Sequence, residues 1–331
     1  TTVNASDLVN LAAKVDTADA TAYATVGTIT QTDAITNVIA ALAIKTDAAV
    51  EVGTVSAVDL NSVAADGNAG NITATITTGL AAGMATAITA VDANDTITFE
   101  VSDNTAIAAA DWSALVTKVD TLTLTNSSAN AAGAYTITGT TSTAAEVNKL
   151  ASLTDGAVTA TITTGAVKAT LDAITAVTAA DTITFITDDT TVNASDLVNL
   201  AAKVDTANAT AFANVATITS VAGTDVAAAL AIIPNAKVTV TNALAAADLN
   251  TIADATAGVV TATLAADTAI TADTVTALDK VATTDTISYT ADTSVITADA
   301  TALAALAAKV DTADATAFAN VATITSVAGT D

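Results

Sequence analysis

Thr1 to Asp16 reads TTVNASDLVNLAAKVD and recurs unchanged from Thr190 to Asp205; ATAFANVATITSVAGTD, from Ala209 to Asp225, recurs unchanged from Ala315 to Asp331. A repeated unit folds as one supersecondary piece that buries its apolar face only against its neighbours, so these copies govern how every other residue is read. Inside the first stretch Leu8, Leu11 and Val15 fall at i, i+3 and i+7, one stripe of an α-helix. Leu197, Leu200 and Val204 repeat the stripe, as do Trp112, Leu115 and Val119, and Leu303, Leu306 and Val310.

The helix boundaries carry their own chemistry. Asn4 with Asp7, Ser56 with Asp59, Asn193 with Asp196 and Thr143 with Glu146 each set a capping residue three positions before an acid. Lys14, Lys118, Lys203 and Lys309 share one slot in the last turn, where a cation complements the negative end of the helix. Between helices the period changes to two. Gly27-Thr28-Ile29-Thr30, Thr73-Ala74-Thr75-Ile76-Thr77, Thr96-Ile97-Thr98-Phe99, Thr121-Leu122-Thr123-Leu124-Thr125, Thr161-Ile162-Thr163 and Val238-Thr239-Val240-Thr241 read as strands with Thr outward and Ile, Leu or Phe inward.

Further echoes fix the size of the unit. ITATITTG from Ile72 returns as VTATITTG from Val158, and DTITF from Asp95 returns from Asp181 and, as DTISY, from Asp285. The offsets share a coil of roughly 26 to 29 residues, within the range of strand-plus-helix solenoids. Parallel strands joined by right-handed helical crossovers predict an α/β solenoid of about twelve coils. The expectation is a single continuous array over residues 1–331, with one continuous parallel sheet and a layer of helices behind it. Residues 127–142 are polar, with a strand-like Tyr135-Thr136-Ile137-Thr138, and read as an irregular coil.

Composition excludes much chemistry. The 331 residues carry no His and no Cys, nine basic residues, one Pro and a net charge of -25. That removes a histidine base, a thiol nucleophile, a disulfide framework and the usual ligands of zinc, copper or iron. All nine basic residues are Lys, and so acidic a chain lacks the basic face that phosphate contacts need, so nucleic acid is not an expected partner. With 52% hydrophobic residues the chain is no disordered polyelectrolyte. Thr, Asp or Asn interrupts every apolar run well before 18 residues, so no membrane span is expected. The chain opens without Met and ends in mid-pattern, so it reads as a piece of something longer.

The units DLVNLAAKVDTADATA, AADLNTIADATAGVVTATL and STAAEVNKLASLTDGAVTATI resemble the Ala/Thr/Asp-rich repeats of very large secreted surface proteins of cyanobacteria and some proteobacteria. The likeness covers nearly the whole chain. It implies a type I secretion substrate, a location outside the cell or on its surface, and a role in adhesion, a surface layer, a fibre or motility. It also implies self-assembly, end to end or lateral, among other surface components. It transfers no catalytic residue and departs from calcium-binding toxin repeats, since no GGxGxD nonapeptide occurs.

Candidate sites are therefore surfaces rather than catalytic pockets, and no enzyme is expected. Asp16, Asp19, Asp92, Asp95, Asp188, Asp189, Asp205, Asp311 and Asp314 lie at turns, where carboxylates with backbone carbonyls suit Ca2+; equally, Asp caps helices, makes turns and solvates an acidic rim. No other cofactor is expected. Thr28, Thr30, Thr73, Thr75, Thr77, Thr96, Thr98, Thr121, Thr123, Thr161 and Thr163 form an outward ladder. It reads as plain sheet surface, as a face for lateral packing or as an ice-binding lattice; Glu51 breaks the T-x-T rule. Trp112 stands where other coils carry Leu8 and Leu197 and reads as core. Tyr23, Phe212 and Phe318 share one repeat position and read as a buried plug beneath the turn after the helix. Ser and Thr near Lys without G-x-S-x-G do not make a Ser-Lys dyad.

Overall fold

A computed structural model describes residues 1–15, 22–31, 34–67, 69–103, 106–124, 134–205, 210–266, 269–291, 296–311 and 317–325. The first part of the chain runs β1 (Thr2–Asn4), α1 (Ala5–Ala12), β2 (Thr28–Thr30), α2 (Ile35–Ile44), β3 (Ala48–Val55), α3 (Ala57–Ala64), β4 (Ala69–Gly79) and α4 (Met84–Ala87). It continues with β5 (Thr96–Val101), β6 (Ala106–Ala108), α5 (Ala109–Lys118), β7 (Thr121–Leu124), β8 (Tyr135–Thr138), α6 (Ala144–Ala151), β9 (Val158–Thr161), α7 (Val167–Ala173) and β10 (Thr182–Thr184). The remainder is β11 (Thr191–Asn193), α8 (Ala194–Ala201), β12 (Thr217–Ser220), α9 (Val226–Ile232), β13 (Lys237–Leu244), α10 (Ala246–Ala255), β14 (Val260–Leu264), β15 (Ala269–Ile270), α11 (Ala272–Thr276), β16 (Thr286–Tyr289), β17 (Ile296–Asp299), α12 (Ala300–Ala307) and β18 (Val321–Thr325). Two compact units divide these elements: Thr1–Thr163 with Ile174–Ile183, and Thr164–Ala173 with Thr184–Asp331.

The protein is α/β with parallel sheets. In the first unit one sheet runs β1-β2-β3-β4-β5-β7 and another runs β10-β9-β8-β6; in the second, β11-β12-β13-β14-β16 and β15-β17-β18. The expected single continuous sheet is thus corrected to four among the described residues. Two local features go with the division. The extended part of a coil is broken between β5 and β6, where Asp103 accepts the Ala81 N–H (2.6 Å) of the preceding coil. Register also shifts in the pairs β3/β4, β4/β5, β13/β14 and β17/β18, which bends the ladder locally.

The two periods read from the sequence separate core from surface. Ile72, Ala74 and Ile76 of β4 are buried between exposed Thr73, Thr75 and Thr77. Ile97 and Phe99 of β5 and Leu122 and Leu124 of β7 continue the inner face. Leu8, Leu197, Leu200 and Leu306 are buried beneath their strands, and Trp112 is wholly enclosed. Its indole N–H donates to the Glu146 carbonyl (2.8 Å) in the next helix. Residues 127–133 of the irregular coil lie outside the described residues, but Tyr135–Thr138 is the expected strand, pairing with β6 on one side and β9 on the other. Burial, and then the nearby Asp103 charge, push the Tyr135 phenol above its ordinary pKa, so it stays neutral in the core.

The capping expectations locate the helix starts. Thr143 and Glu146 form a complete capping box, with Oγ1 accepting the Glu146 N–H (3.3 Å) and the carboxylate accepting the Thr143 N–H (2.7 Å). Ser56 accepts the Asp59 N–H. Asn4 and Asn193 accept from Ser6 and Ser195 (2.9 Å each), one residue earlier than the box geometry.

Neighbouring coils approach closely at glycine. A Cβ on Gly258 would stand 2.4 Å from the Ala236 carbonyl oxygen, and one on Gly70 would stand 3.0 Å from the carbonyl oxygens of Ala48 and Asp47. Because the obstacle is backbone, Gly258→Ala should cost about 1–3 kcal/mol. Its urea midpoint should fall at unchanged slope, whereas Gly53→Ala, with nothing near its Cβ, should not move.

Candidate functional surface

The outward threonines stand in register. Thr54, Thr75, Thr98 and Thr121 face one another across β3, β4, β5 and β7, and Glu51, Thr73 and Thr96 make a second row. Adjacent strands set such rows about 4.7–4.9 Å apart. Thr73, Thr75, Thr77, Thr96, Thr121, Thr123, Thr161 and Thr163 are exposed, while Thr28, Thr30 and Thr98 are half-buried. Thr30 Oγ1 donates to the Val3 carbonyl (3.2 Å), so this member of the ladder also ties two strands together. Glu51 sits between Thr30 and Thr73 and interrupts its row, as expected.

A second ladder lies in the other unit, where the sequence reading has only Thr239 and Thr241 outward. Asn193, Thr219, Thr239, Thr261 and Thr286 align across β11, β12, β13, β14 and β16. The T-x-T signal for it lies in Thr217-Ile218-Thr219 and Thr261-Ala262-Thr263.

Side chains that join one coil to the next form the other recurring feature. Asp95 Oδ1 accepts the Ile72 N–H (2.9 Å) of the preceding strand, and Oδ2 accepts the Asp92 N–H (3.0 Å) of its own turn. Asp181 does the same with Val158 (2.6 Å) and Thr178 (2.7 Å), and Asp285 with Val260 and Ala282 (2.8 Å each). Asp120 accepts the Ile97 N–H (2.8 Å), and Asp189 the Val167 N–H (2.7 Å) at the start of α7. Each of these carboxylates accepts a backbone N–H of the preceding coil and so clasps two coils together.

Asparagine supplies a parallel set of clasps. Asn61, Asn148 and Asn250, each on a helix, accept the N–H groups of Ala90, Ala176 and Lys280 at 2.6–2.7 Å. These partners lie 29, 28 and 30 residues further along the chain. The Asn250 amide also donates to Asp279 (2.9 Å), which, followed by the Lys280 charge, holds that carboxyl below its usual range. Lysine supplies a third set of links. The Lys118 ammonium donates to the carbonyls of Thr89 (3.1 Å) and Val91 (2.8 Å), and that of Lys309 to Val281 (2.9 Å), all in the preceding coil. Lys118 stands in the last turn of α5, as expected, and also joins its coil to the preceding one; Lys309 lies beyond the end of α12 and makes the same kind of link.

No family model, curated protein or solved structure matches this chain.

Six of the nine acids singled out for Ca2+ lie among the described residues. Asp95 and Asp189 already bind backbone N–H groups. Asp92 accepts the Asn94 N–H (2.8 Å), while Asp188 and Asp311 are exposed and Asp205 half-buried. Asp16, Asp19 and Asp314 lie outside the described residues. Among the described residues no group of three or more acids stands close enough to hold a metal ion. Small clefts open at the seams: one of about 290 Å3 is lined by Asp92, Asp95, Lys118, Asp120 and Lys149, and one of about 260 Å3 by Asp285, Lys309 and Asp311. Asp95, Asp120, Asp285, Lys118 and Lys309 in their walls are clasp residues.

Of the expected buried plug only Phe212 is buried, while Tyr23 and Phe318 are half-buried. Phe212 meets Phe185 edge-on with ring centres 6.5 Å apart, and Phe318 tilts against Tyr289 at 5.6 Å. Each pair joins a plug residue to the strand of the coil before it. Among the described residues no helix is long and apolar enough to cross a membrane.

Proposed function

We propose that the chain is a structural, non-catalytic repeat segment of a giant extracellular bacterial surface protein, a fibre, surface layer or adhesin stalk. Its strand-plus-helix coils run on as an α/β solenoid, giving length and a face for end-to-end or lateral assembly with itself or other surface components. The observation that carries this reading is the recurrence of Asp, Asn and Lys clasps between successive coils, with partners 22 to 30 residues apart. A chain in which each unit binds only its neighbours is quasi-one-dimensional, and its length grows with the number of units. The surface location rests on the resemblance of its repeats. Small-angle scattering tests the architecture: a rod with a constant cross-section is expected, and a compact globule of the same mass would overturn it.

Registered threonine rows favour a second reading, an ice-binding face. Ice crystals grown with the protein should then be faceted, and Thr75→Lys with Thr98→Lys should restore rounded growth; unshaped ice with the parent chain rejects the reading. A calcium-dependent stalk makes a different prediction, since a site occupied only in the folded state raises stability by mass action. With Asp95 and Asp189 engaged by backbone donors, the expected melting temperatures in Ca2+ and in EDTA coincide. A higher melting temperature in Ca2+ would move the proposal to the calcium-dependent adhesin.

A further inference from the structure

The chain carries nine basic and 34 acidic residues, a net charge of -25. That charge is kept off two surfaces. On the outer faces of the sheets β1-β2-β3-β4-β5-β7 and β11-β12-β13-β14-β16, the charged side chains among the described residues are Glu51, Glu100 and Lys237 alone. Acids gather instead on the helix side, where Asp7, Asp59, Asp111, Asp196, Asp248 and Asp273 occupy first turns. Two copies of so acidic a chain repel each other over most of their surface, and the threonine faces are where that repulsion is least.

Some of these threonines are already prepared for burial. Thr30 and Thr219 donate their hydroxyls to the carbonyls of Val3 and Val192 on the preceding strand, at 3.2 and 3.1 Å, and Thr78 donates to Glu100 (2.7 Å). A hydroxyl paired inside its own sheet leaves no unsatisfied donor when another surface covers it. Glu51 and Lys237 stand apart. Both are exposed, and neither side chain has a partner among the described residues. Each lies on the third strand of its sheet, Glu51 on β3 and Lys237 on β13, and their charges are opposite.

We propose that these two threonine faces form a lateral interface between copies of the chain, the first-unit face of one molecule lying on the second-unit face of another, with Glu51 opposite Lys237. Deepening the solenoid reading and resting on it, this assigns side-by-side assembly to the sheet side and makes its occupant a second copy. Strands on both faces are spaced about 4.7–4.9 Å apart, so threonine rows of two sheets about 10 Å apart keep step from coil to coil. Complementary charge then decides which rows meet. Because the two faces differ, the contact is heterologous.

Charge reversal tests the contact. Sedimentation of the 331-residue chain at rising concentration should show a weight-average mass climbing to at least twice that of the monomer. Glu51→Lys should raise the dissociation constant about tenfold or more although it reduces the net negative charge, and combining it with Lys237→Glu in one chain should restore the parent's association. The chain has no Cys, so a mixture of Glu51→Cys and Lys237→Cys molecules gives a second readout: on mild oxidation the mixed disulfide dimer should outnumber both homodimers together severalfold. The proposal is overturned if the parent stays monomeric, if Glu51→Lys associates as well as the parent, if the double reversal does not recover association, or if the two cysteine variants pair at random. Scattering from the monomer separates the two levels. A compact globule would remove the solenoid reading itself, whereas a folded rod that fails these tests removes only the lateral contact.

Discussion

Asp95→Ala, Asp181→Ala and Asp285→Ala will each lower the unfolding free energy by about 1–3 kcal/mol, because each leaves two backbone N–H donors at a seam without an acceptor. Asn at the same positions keeps one acceptor oxygen and turns an amide donor towards the second N–H, so it will recover only part of the loss. The three clasps lie in separate coils and share no partner. Their costs should therefore add, to about 3–9 kcal/mol, the scale of a whole domain's stability. Urea unfolding followed by circular dichroism measures the sum, and amide exchange locates it. Faster exchange at Ile72, Val158 and Val260 in the respective variants is expected. A triple variant with the parent's midpoint would show that the clasps contribute nothing and would remove the main support for a neighbour-to-neighbour array.

Trp112→Ala should cost about 3–5 kcal/mol, the range for truncating an enclosed aromatic residue. The indole is fully buried between α5 and α6, and its N–H reaches the Glu146 carbonyl of the next coil. Replacement therefore opens a cavity and severs a link between coils in one step. Trp112→Leu installs the residue that Leu8 and Leu197 place at this slot, and should cost less than half as much. Since this is the only tryptophan, backbone circular dichroism rather than fluorescence must follow the unfolding. Equal midpoints for the Ala and Leu variants would contradict an enclosed, volume-filling role.

Helices and strands were legible because their cause is local. A 3.6-residue stripe through Leu8, Leu11 and Val15 and a two-residue alternation through Thr73 to Thr77 each reflect a single element meeting a single core. Threonine rows followed from the same alternation. The clasps were not legible, since an Asp in DTITF looks like any turn-forming Asp until the neighbouring backbone is brought beside it. Asp92, Asp95 and Asp189, read as candidate cation ligands, accept backbone N–H groups, and Lys118, in the last turn of α5 as expected, also reaches the coil before. Only long-range geometry distinguishes those uses. A signal did exist: Asn61, Asn148 and Asn250 precede DTIT-type motifs at nearly constant spacing, a regularity that a capping role would not require. The division of the sheet was equally hidden, because bulges and the turn after Val101 are set by how adjacent coils fit rather than by either alone.

Each Asp or Asn clasp pairs a side chain on one coil with a main-chain N–H on a neighbouring coil. Every amino acid except proline offers that N–H, so the recipient position is free to change without weakening the bond. A coil can then be copied, deleted or transposed and still be gripped by its new neighbour, provided only that the Asp or Asn travels with it. Such tolerance allows a gene to lengthen by duplicating blocks, and unchanged copies such as 1–16 and 190–205 are the imprint that process would leave.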